Sequence, residues 1–441
     1  MQVTFKNTGM IEEADIRFNG LTVIAGENDT GKSTIGKLMF SIIKTFNRYE
    51  RDARSYQVRS VQRLIDHYYF DFRKRHTNPP VLEAGRTFFD GLKDEALGLL
   101  ENSGTTQKIE SIISDKVNSF TETVHRLSDI EINLEEISEN IALLIANKPS
   151  KEDVYKQTLR NYLVSLFGDD VVNKFAKTLE YSILGKEGNN SVFEITGTTE
   201  SPRVCLNDII YFVDATFIES PVFINLVDTI RFSKNEFDMD GDAKKQVELL
   251  ARPYAPEYMK DLMLKLTDRK TKGKTSKIAD QIRDIIGGEF YYDPDERDFV
   301  FEKGNRTFKG LSVAPGIKYL GIVCILAQSG FLNDKSILIL DEPETHIHPQ
   351  WQIRFSEVLV KLVKDGNNIL LTSHSPYLIE ALKLYSDHYL EKDKTAFYLS
   401  QKKDNAFVSR TFNVTHDISP IFETLTKPFD ELELLELKDV A

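Results

Sequence analysis

The hydrophobic pattern changes character several times along the chain. Residues 1–25 alternate apolar and polar positions in QVTFKN and in ADIRFNG, then close up into the apolar run LTVIA before a glycine. Period-two alternation predicts short strands, and the closed run predicts a strand buried on both faces. After Lys32 the segment IGKLMFSIIKTF puts apolar residues three and four apart, so a helix is expected to begin inside the preceding turn. From about 45 to 190 glycine is scarce, charges are dense, and segments such as IESIISDKVNSFTETVHRL keep helical spacing. An inserted helical lobe is expected there. Forty residues of helix span only about 60 Å, too little for a long coiled-coil arm.

Strands are expected again in NSVFEITG, RVCLND and IIYFVDA, the last as a strand buried on both faces. A smaller helical insertion over 226–286, with its tip at TDRKTKGKTSK, precedes a hairpin in FYYDPDERDFVFEKG with DPDE as its turn. From Leu311 onward helix and strand alternate, the pattern of a largely parallel sheet with helices on its faces. The chain thus reads as an α/β fold: a mixed, largely parallel sheet assembled from 1–44, 191–225 and 287–441, carrying helical lobes at 45–190 and 226–286.

A length of 441 residues fits two or three structural units. Apolar content of 41% and charged content of 28% belong to a globular chain rather than a disordered one. No run approaches the roughly 18 apolar residues of a membrane span, and MQVTFKNTGMIEEAD has no apolar signal core. The only cysteines, Cys205 and Cys324, lie in apolar runs, so no disulfide framework is expected and the cytosol is the expected compartment. A net charge of −12 argues against a surface coated for nucleic acid. Local exceptions exist. Lys44–His76 holds nine Lys/Arg against four Asp/Glu, and Lys260–Lys277 seven against two. Such runs are ordinarily solvated helix faces, with phosphate-backbone contact as the alternative.

Three segments change the picture. GENDTGKST, residues 26–34, matches G-x-x-x-x-G-K-[ST] between the apolar run and the helix. A loop without bulky side chains lets backbone N–H groups converge on phosphate, and the helix N-terminus adds its dipole. Gly26, Glu27, Asn28, Asp29, Thr30, Gly31, Lys32, Ser33 and Thr34 are the expected nucleotide contacts, with Lys32 on the outer phosphates and Ser33 on Mg²⁺. SILILDEPETHIHP puts Asp341 and Glu342 at the end of a buried-type strand, where Asp341 is expected to hold Mg²⁺ and Glu342 to orient the attacking water. In NNILLTSHSP, His374 follows a third such strand and is expected to face the γ-phosphate. His346, His348 and Glu344 have a spacing open to metal ligation, but nothing nearby completes a four-ligand zinc set.

In this order the pieces FNGLTVIAGENDTGKST, LILDEPETHIHPQWQ and LLTSHSPYLIEAL resemble the ABC-like ATPases of the SMC, RecF and OLD nuclease group. More narrowly they resemble the AAA-type ATPases of bacterial phage-defence operons. The resemblance covers about half the chain and implies ATP and Mg²⁺ as ligands. It also implies a homodimer or larger oligomer in which each head completes the other's site, with Thr345–Pro349 at the contact. The signature segment of such heads would correspond to LSVAPGIK, residues 311–318, which departs from L-S-x-G-x and leaves Gly316 to open a helix whose N-terminus is expected to face a γ-phosphate. The Q-loop would fall in Asp214–Glu219. The 67 residues after His374 are too few for the Toprim nuclease of OLD proteins, so a separate effector, a nuclease or toxin, is the implied partner. Two alternatives stand beside this switch: a DNA-repair ATPase clamping duplex through its basic stretches, and a scaffold that binds ATP without hydrolysing it.

Overall fold

The computed structural model describes residues 1–101, 105–127, 135–168, 170–226, 255–267, 276–402 and 407–428. They form two compact units, 1–47 with 159–441, and 48–158. The first unit is built on a sheet of strands β1 (Gln2–Thr8), β2 (Ile11–Arg17), β3 (Leu21–Gly26), β4 (Tyr181–Glu187), β5 (Asn190–Gly197), β6 (Pro202–Leu206) and β7 (Asp214–Ile218). A separate three-stranded sheet holds β8 (Glu289–Asp293), β9 (Asp298–Lys303) and β10 (Arg306–Lys309), the first two forming the expected hairpin. The main sheet is completed by β11 (Ser336–Asp341), β12 (Asn368–Ser373), β13 (Thr395–Lys402) and β14 (Ser409–Asn413). Its order is β6-β5-β4-β1-β2-β14-β13-β3-β12-β11-β7.

Only one half of this sheet is parallel. β13, β3, β12, β11 and β7 run the same way, so their C-terminal ends share one edge. On the other side β6, β5, β4, β1 and β2 pair antiparallel, so the sheet is mixed, as expected, with as many antiparallel as parallel pairings. Two-residue connections, Gly9–Met10 and Gly188–Asn189, leave no room for a crossover, so β1–β2 and β4–β5 must fold back as hairpins.

Two expectations fail locally. IIYFV is not a strand: Ile209, Tyr211 and Val213 are 88%, 49% and 47% exposed, and the ladder to β11 begins at Asp214 opposite Ser336. DATFI is the buried strand, one segment later. The lobe expected over 45–190 is also too long at both ends. Residue 45 lies within the first helix, α1 (Lys32–Asn47), and β4 is a sheet strand. YSILGKE carries too short an alternation to announce itself; its place is set by pairing with β1 and β5.

The second unit consists of α2 (Tyr49–Arg75), α3 (Pro79–Glu101), α4 (Thr106–Leu127), α5 (Glu135–Ala146) and the first turns of α6 (Lys151–Phe167). Val61, Ile65, Phe72, Phe89, Ile113, Phe120 and Ile141 form its core, from stripes spaced three, four and seven residues apart. In the first unit α7 (Glu257–Leu266) and α8 (Lys277–Ile286) are the described parts of the expected 226–286 insertion, most of whose tip lies outside the described residues. Both helices belong to the main core, with α9 (Pro315–Ser329), α10 (Pro349–Lys364) and α11 (Pro376–Tyr389). Among the described residues no helix is long and apolar enough to cross a membrane.

Candidate active site

GENDTGKST is the turn from β3 into α1. Glycine is required twice. Gly26 has φ 148° and a Cβ there would lie 2.1 Å from the Ser400 carbonyl; Gly31 has φ 79° and a Cβ would lie 2.5 Å from Ile11 Cγ1. The loop is held from below by Ser400 Oγ and Ser409 Oγ, which donate to the Thr30 carbonyl at 2.8 and 2.7 Å. Thr30 Oγ1 donates to Glu27 O at 2.9 Å, and Lys402 pairs with Asp29 at 2.9 Å. Glu27, Asn28 and Asp29 are exposed, Thr34 half-buried, so the loop keeps an open face above a fixed base.

Lys32 is buried, its Nζ donating to Gly26 O at 3.0 Å and Glu27 O at 2.7 Å and lying 3.6 Å from Glu342 Oε1. Burial lowers its proton affinity, and the Glu342 carboxylate opposes that shift. Asp341 ends β11 and accepts from Thr372 Oγ1 at 2.5 Å, with the Ser33 hydroxyl close enough to act on its charge. Burial raises its carboxyl above the usual range, while those two donors pull it back. Glu342 takes a left-handed conformation, φ 45° and ψ 55°, a strained state for a residue with a Cβ. Its amide donates to Thr372 O at 3.1 Å. His374 Nδ1 lies 3.6 Å from Glu342 Oε1, beyond hydrogen-bond length but within charge contact. This pairing, chiefly, holds Glu342 below and His374 above their ordinary values.

Convergence follows from strand register. Asp341 stands opposite Thr372 in the β11–β12 ladder and Ser373 opposite Ala25 in the β12–β3 ladder, so the three turns open at one edge. Lys32, Ser33, Asp341, Glu342 and His374 meet there. The donors fit a polyphosphate with a divalent cation: a buried ammonium, an open loop at a helix N-terminus, and a hydroxyl near a carboxylate of the kind hard cations take.

Gly316 is placed elsewhere. It lines a depression of about 330 Å³ with Thr345, His346, His348 and Trp351, to which the 26–34 loop contributes nothing. Its lack of a side chain answers to packing, since a Cβ would stand 2.5 Å from the His346 carbonyl. Asp214–Ile218, expected as part of a loop, is β7 itself. Glu219 follows it, paired with Lys37 at 2.7 Å and accepting from the Tyr258 hydroxyl, close enough to act on the charge of Asp341. Glu344, His346 and His348 face different partners: the 373–375 turn, Ser220 Oγ, and the Gln350 amide. Thr372 and Gln352 are not singled out in the sequence, Glu344 is weighed there only as a metal ligand beside His346 and His348, and Glu219 only as the end of the Asp214–Glu219 segment. The one available signal was polar residues at the ends of apolar strands, as in LLTS. A roomier groove of about 790 Å³, lined by Ile353, Tyr377, Leu384, Tyr385 and Phe422, carries none of these groups.

No curated protein matches the chain. Among solved structures it is similar to an SMC head bound to the C-terminal winged-helix domain of ScpA, at 10% identity over 93% of this chain and 96% of that one, TM-score 0.42. It is also similar to the SMC head domain from Thermotoga maritima, at 10% identity, 94% and 98% coverage and TM-score 0.39. A third is an SMC head with an extended coiled coil bound to a ScpA C-terminal domain derived from Pyrococcus furiosus, at 10% identity, 98% of both chains and TM-score 0.40. The model of one protein family, described as AAA ATPase domain, matches residues 316–379, the stretch that contains Asp341, Glu342 and His374. Over that stretch the chain is similar to an AAA ATPase domain.

Proposed function

We propose that this chain binds Mg-ATP and hydrolyses it as an ABC-like ATPase. One observation carries this: three turns far apart in sequence bring Lys32 and Ser33, Asp341 and Glu342, and His374 to one sheet edge. The match of 316–379 to an AAA ATPase domain supports it. Lys32 and the loop amides bind the phosphates. Ser33 and Asp341 hold the cation, which supplies charge neutralisation when bound. Glu342 accepts a hydrogen bond from the attacking water, and His374 donates toward the terminal phosphate. Gly316 lies apart from this cluster, so its role toward a nucleotide requires a second copy, and the active form is a dimer or larger oligomer joined through its heads. The motif resemblance extends the proposal to a switch governing a separate nuclease or toxin in phage defence. Mg-dependent phosphate release by the purified chain tests the core of it. Turnover should disappear in Lys32→Ala together with ATP affinity; a wild-type protein that neither binds nor turns over ATP ends the proposal.

A second reading is favoured by one surface. Arg59, Arg63, His67, Phe70 and Lys74 are all exposed and recur three or four residues apart along α2, forming a single stripe. At 1.5 Å rise per residue, the basic positions at i and i+4 are about 6 Å apart, a spacing suited to successive phosphates of nucleic acid. Duplex binding that weakens with salt, and is lost on reversing Arg59 and Arg63 to Glu, would support a DNA-directed ATPase. Salt-insensitive or absent binding removes that reading.

A further inference from the structure

The segment after Glu342 carries a buried acid for which the hydrolytic scheme above has no use. Glu344 has a side chain only 4% exposed. Its Oε1 accepts three bonds from one turn: Ser373 Oγ at 2.7 Å, the His374 amide at 2.6 Å and the Ser375 amide at 3.2 Å. Ser375 Oγ donates to Gln352 Oε1 at 2.6 Å. Gln352 Nε2 in turn donates to Ile347 O at 2.8 Å and to Glu344 O at 3.4 Å. The circuit is therefore closed: residue 344 to turn 373–375, to the first turn of α10, and back to 344–347. Carboxylate-accepted bonds are stronger than neutral ones, and in a buried setting each donor left unpaired is costly.

Strand pairing alone does not orient His374. The β11–β12 ladder reaches Asp341 and Thr372 and stops, one and two residues short of the groups concerned. The imidazole is 39% exposed, with no contact to Glu342 closer than 3.6 Å. What holds the His374 backbone at that point is Glu344. We infer that Glu344, backed by Gln352, is a positioning residue that sets His374 against Glu342. The same circuit links the pair to the 345–348 segment and, through the close approach of Gly316 to the His346 carbonyl, to the start of α9. A shift at that face reaches His374 through the two peptide units between 344 and 346.

This inference rests on the ATPase reading, and its test separates the two. Wild type, Glu344→Ala, Glu344→Gln, Gln352→Ala, His374→Ala and the Glu344→Ala/His374→Ala double variant are compared for Mg-ATP affinity, kcat, KM and melting temperature. Glu344→Ala should lower kcat at least tenfold while Mg-ATP affinity stays within twofold. Glu344→Gln, which keeps a carbonyl oxygen for the three donors, should recover much of that loss. The double variant should be no slower than His374→Ala within twofold, because both changes remove one function. In nucleotide-free protein the His374 ring resonance, identified by its loss in His374→Ala, should move in Glu344→Ala and lie closer to its wild-type position in Glu344→Gln. If Glu344→Ala does not fold, Gln352→Ala completes the same cycle. Unchanged kcat in Glu344→Ala, multiplicative losses in the double variant, or a His374 resonance unmoved in Glu344→Ala overturns the inference while wild-type turnover leaves the ATPase standing. A wild type without turnover removes both.

Discussion

Lys32 Nζ lies 3.6 Å from Glu342 Oε1, so the buried cation of the first turn faces the half-buried acid of the second. Replacing Glu342 with Gln removes the charge that orients water but leaves the volume, and it takes a negative charge away from an anion site. ATP affinity should be retained or improved, while phosphate release should fall by about 10²–10⁴-fold, the range of a lost general base. Isothermal titration and a phosphate-release assay decide the matter. Turnover equal to wild type would remove the water-orienting role from Glu342.

The His374–Glu342 pair makes stability depend on pH in a stated direction. His374 is held above its unfolded value by Glu342, so its contribution is complete below about pH 6.5 and is lost as pH rises through the folded value. Glu342 is shifted down, and its share is present above its unfolded value and lost in acid. The melting-temperature gap between wild type and His374→Ala should therefore narrow from about pH 6 to about pH 9. The effect is small because the ring is 39% exposed and screened by solvent. A gap that widens with pH contradicts the pairing.

A four-charge cluster secures the far end of α1. Lys44 pairs with Asp214 and, at 2.7 Å, with Asp261; Lys265 pairs with the same two acids at 2.6 and 3.0 Å. Both lysine side chains are about 95% buried, with relative exposures of 5% and 6%. Removing one member of such a set strands the opposite charge. Lys44→Met should cost about 3 kcal/mol, the low end for a broken buried pair because Lys265 remains. Urea denaturation measures it, and the Lys44→Met/Asp214→Asn double variant should lose less than the sum of the singles.

Gly316→Ala sets two effects against each other. Alanine within a helix gains up to about 1 kcal/mol over glycine, whereas forcing a methyl into a filled space costs about 1–3 kcal/mol. With the His346 carbonyl 2.5 Å from the new carbon, the steric term should win and the melting temperature should fall. A rise would mean that the 345–348 segment yields freely, which also weakens the case for a rigid circuit through Glu344.

Local chemistry carried much of this in the sequence. Two glycines at positive φ ahead of a lysine, an apolar run ending in Asp-Glu, and a histidine just past the polar end of another apolar strand each state what they are within ten residues, because backbone strain and strand burial are short-range constraints. The same locality explains the misplacements. IIYFV is as apolar as any strand in the chain, yet DATFI is the one that finds a ladder partner beside β11, and YSILGKE became a sheet strand only because β1 and β5 lay open to it.

The chain's own order of residues thus determined the phosphate-type loop, the acids at the strand end and the α/β character of the second half. Tertiary structure alone decided that the sheet is antiparallel over half its width, that Gly316 sits apart from Lys32, and that Glu344 turns inward to take three donors from the residues around His374. Each of these depends on which distant segment supplies a partner, and contacts between positions so far apart in sequence leave no period along the chain from which to read them.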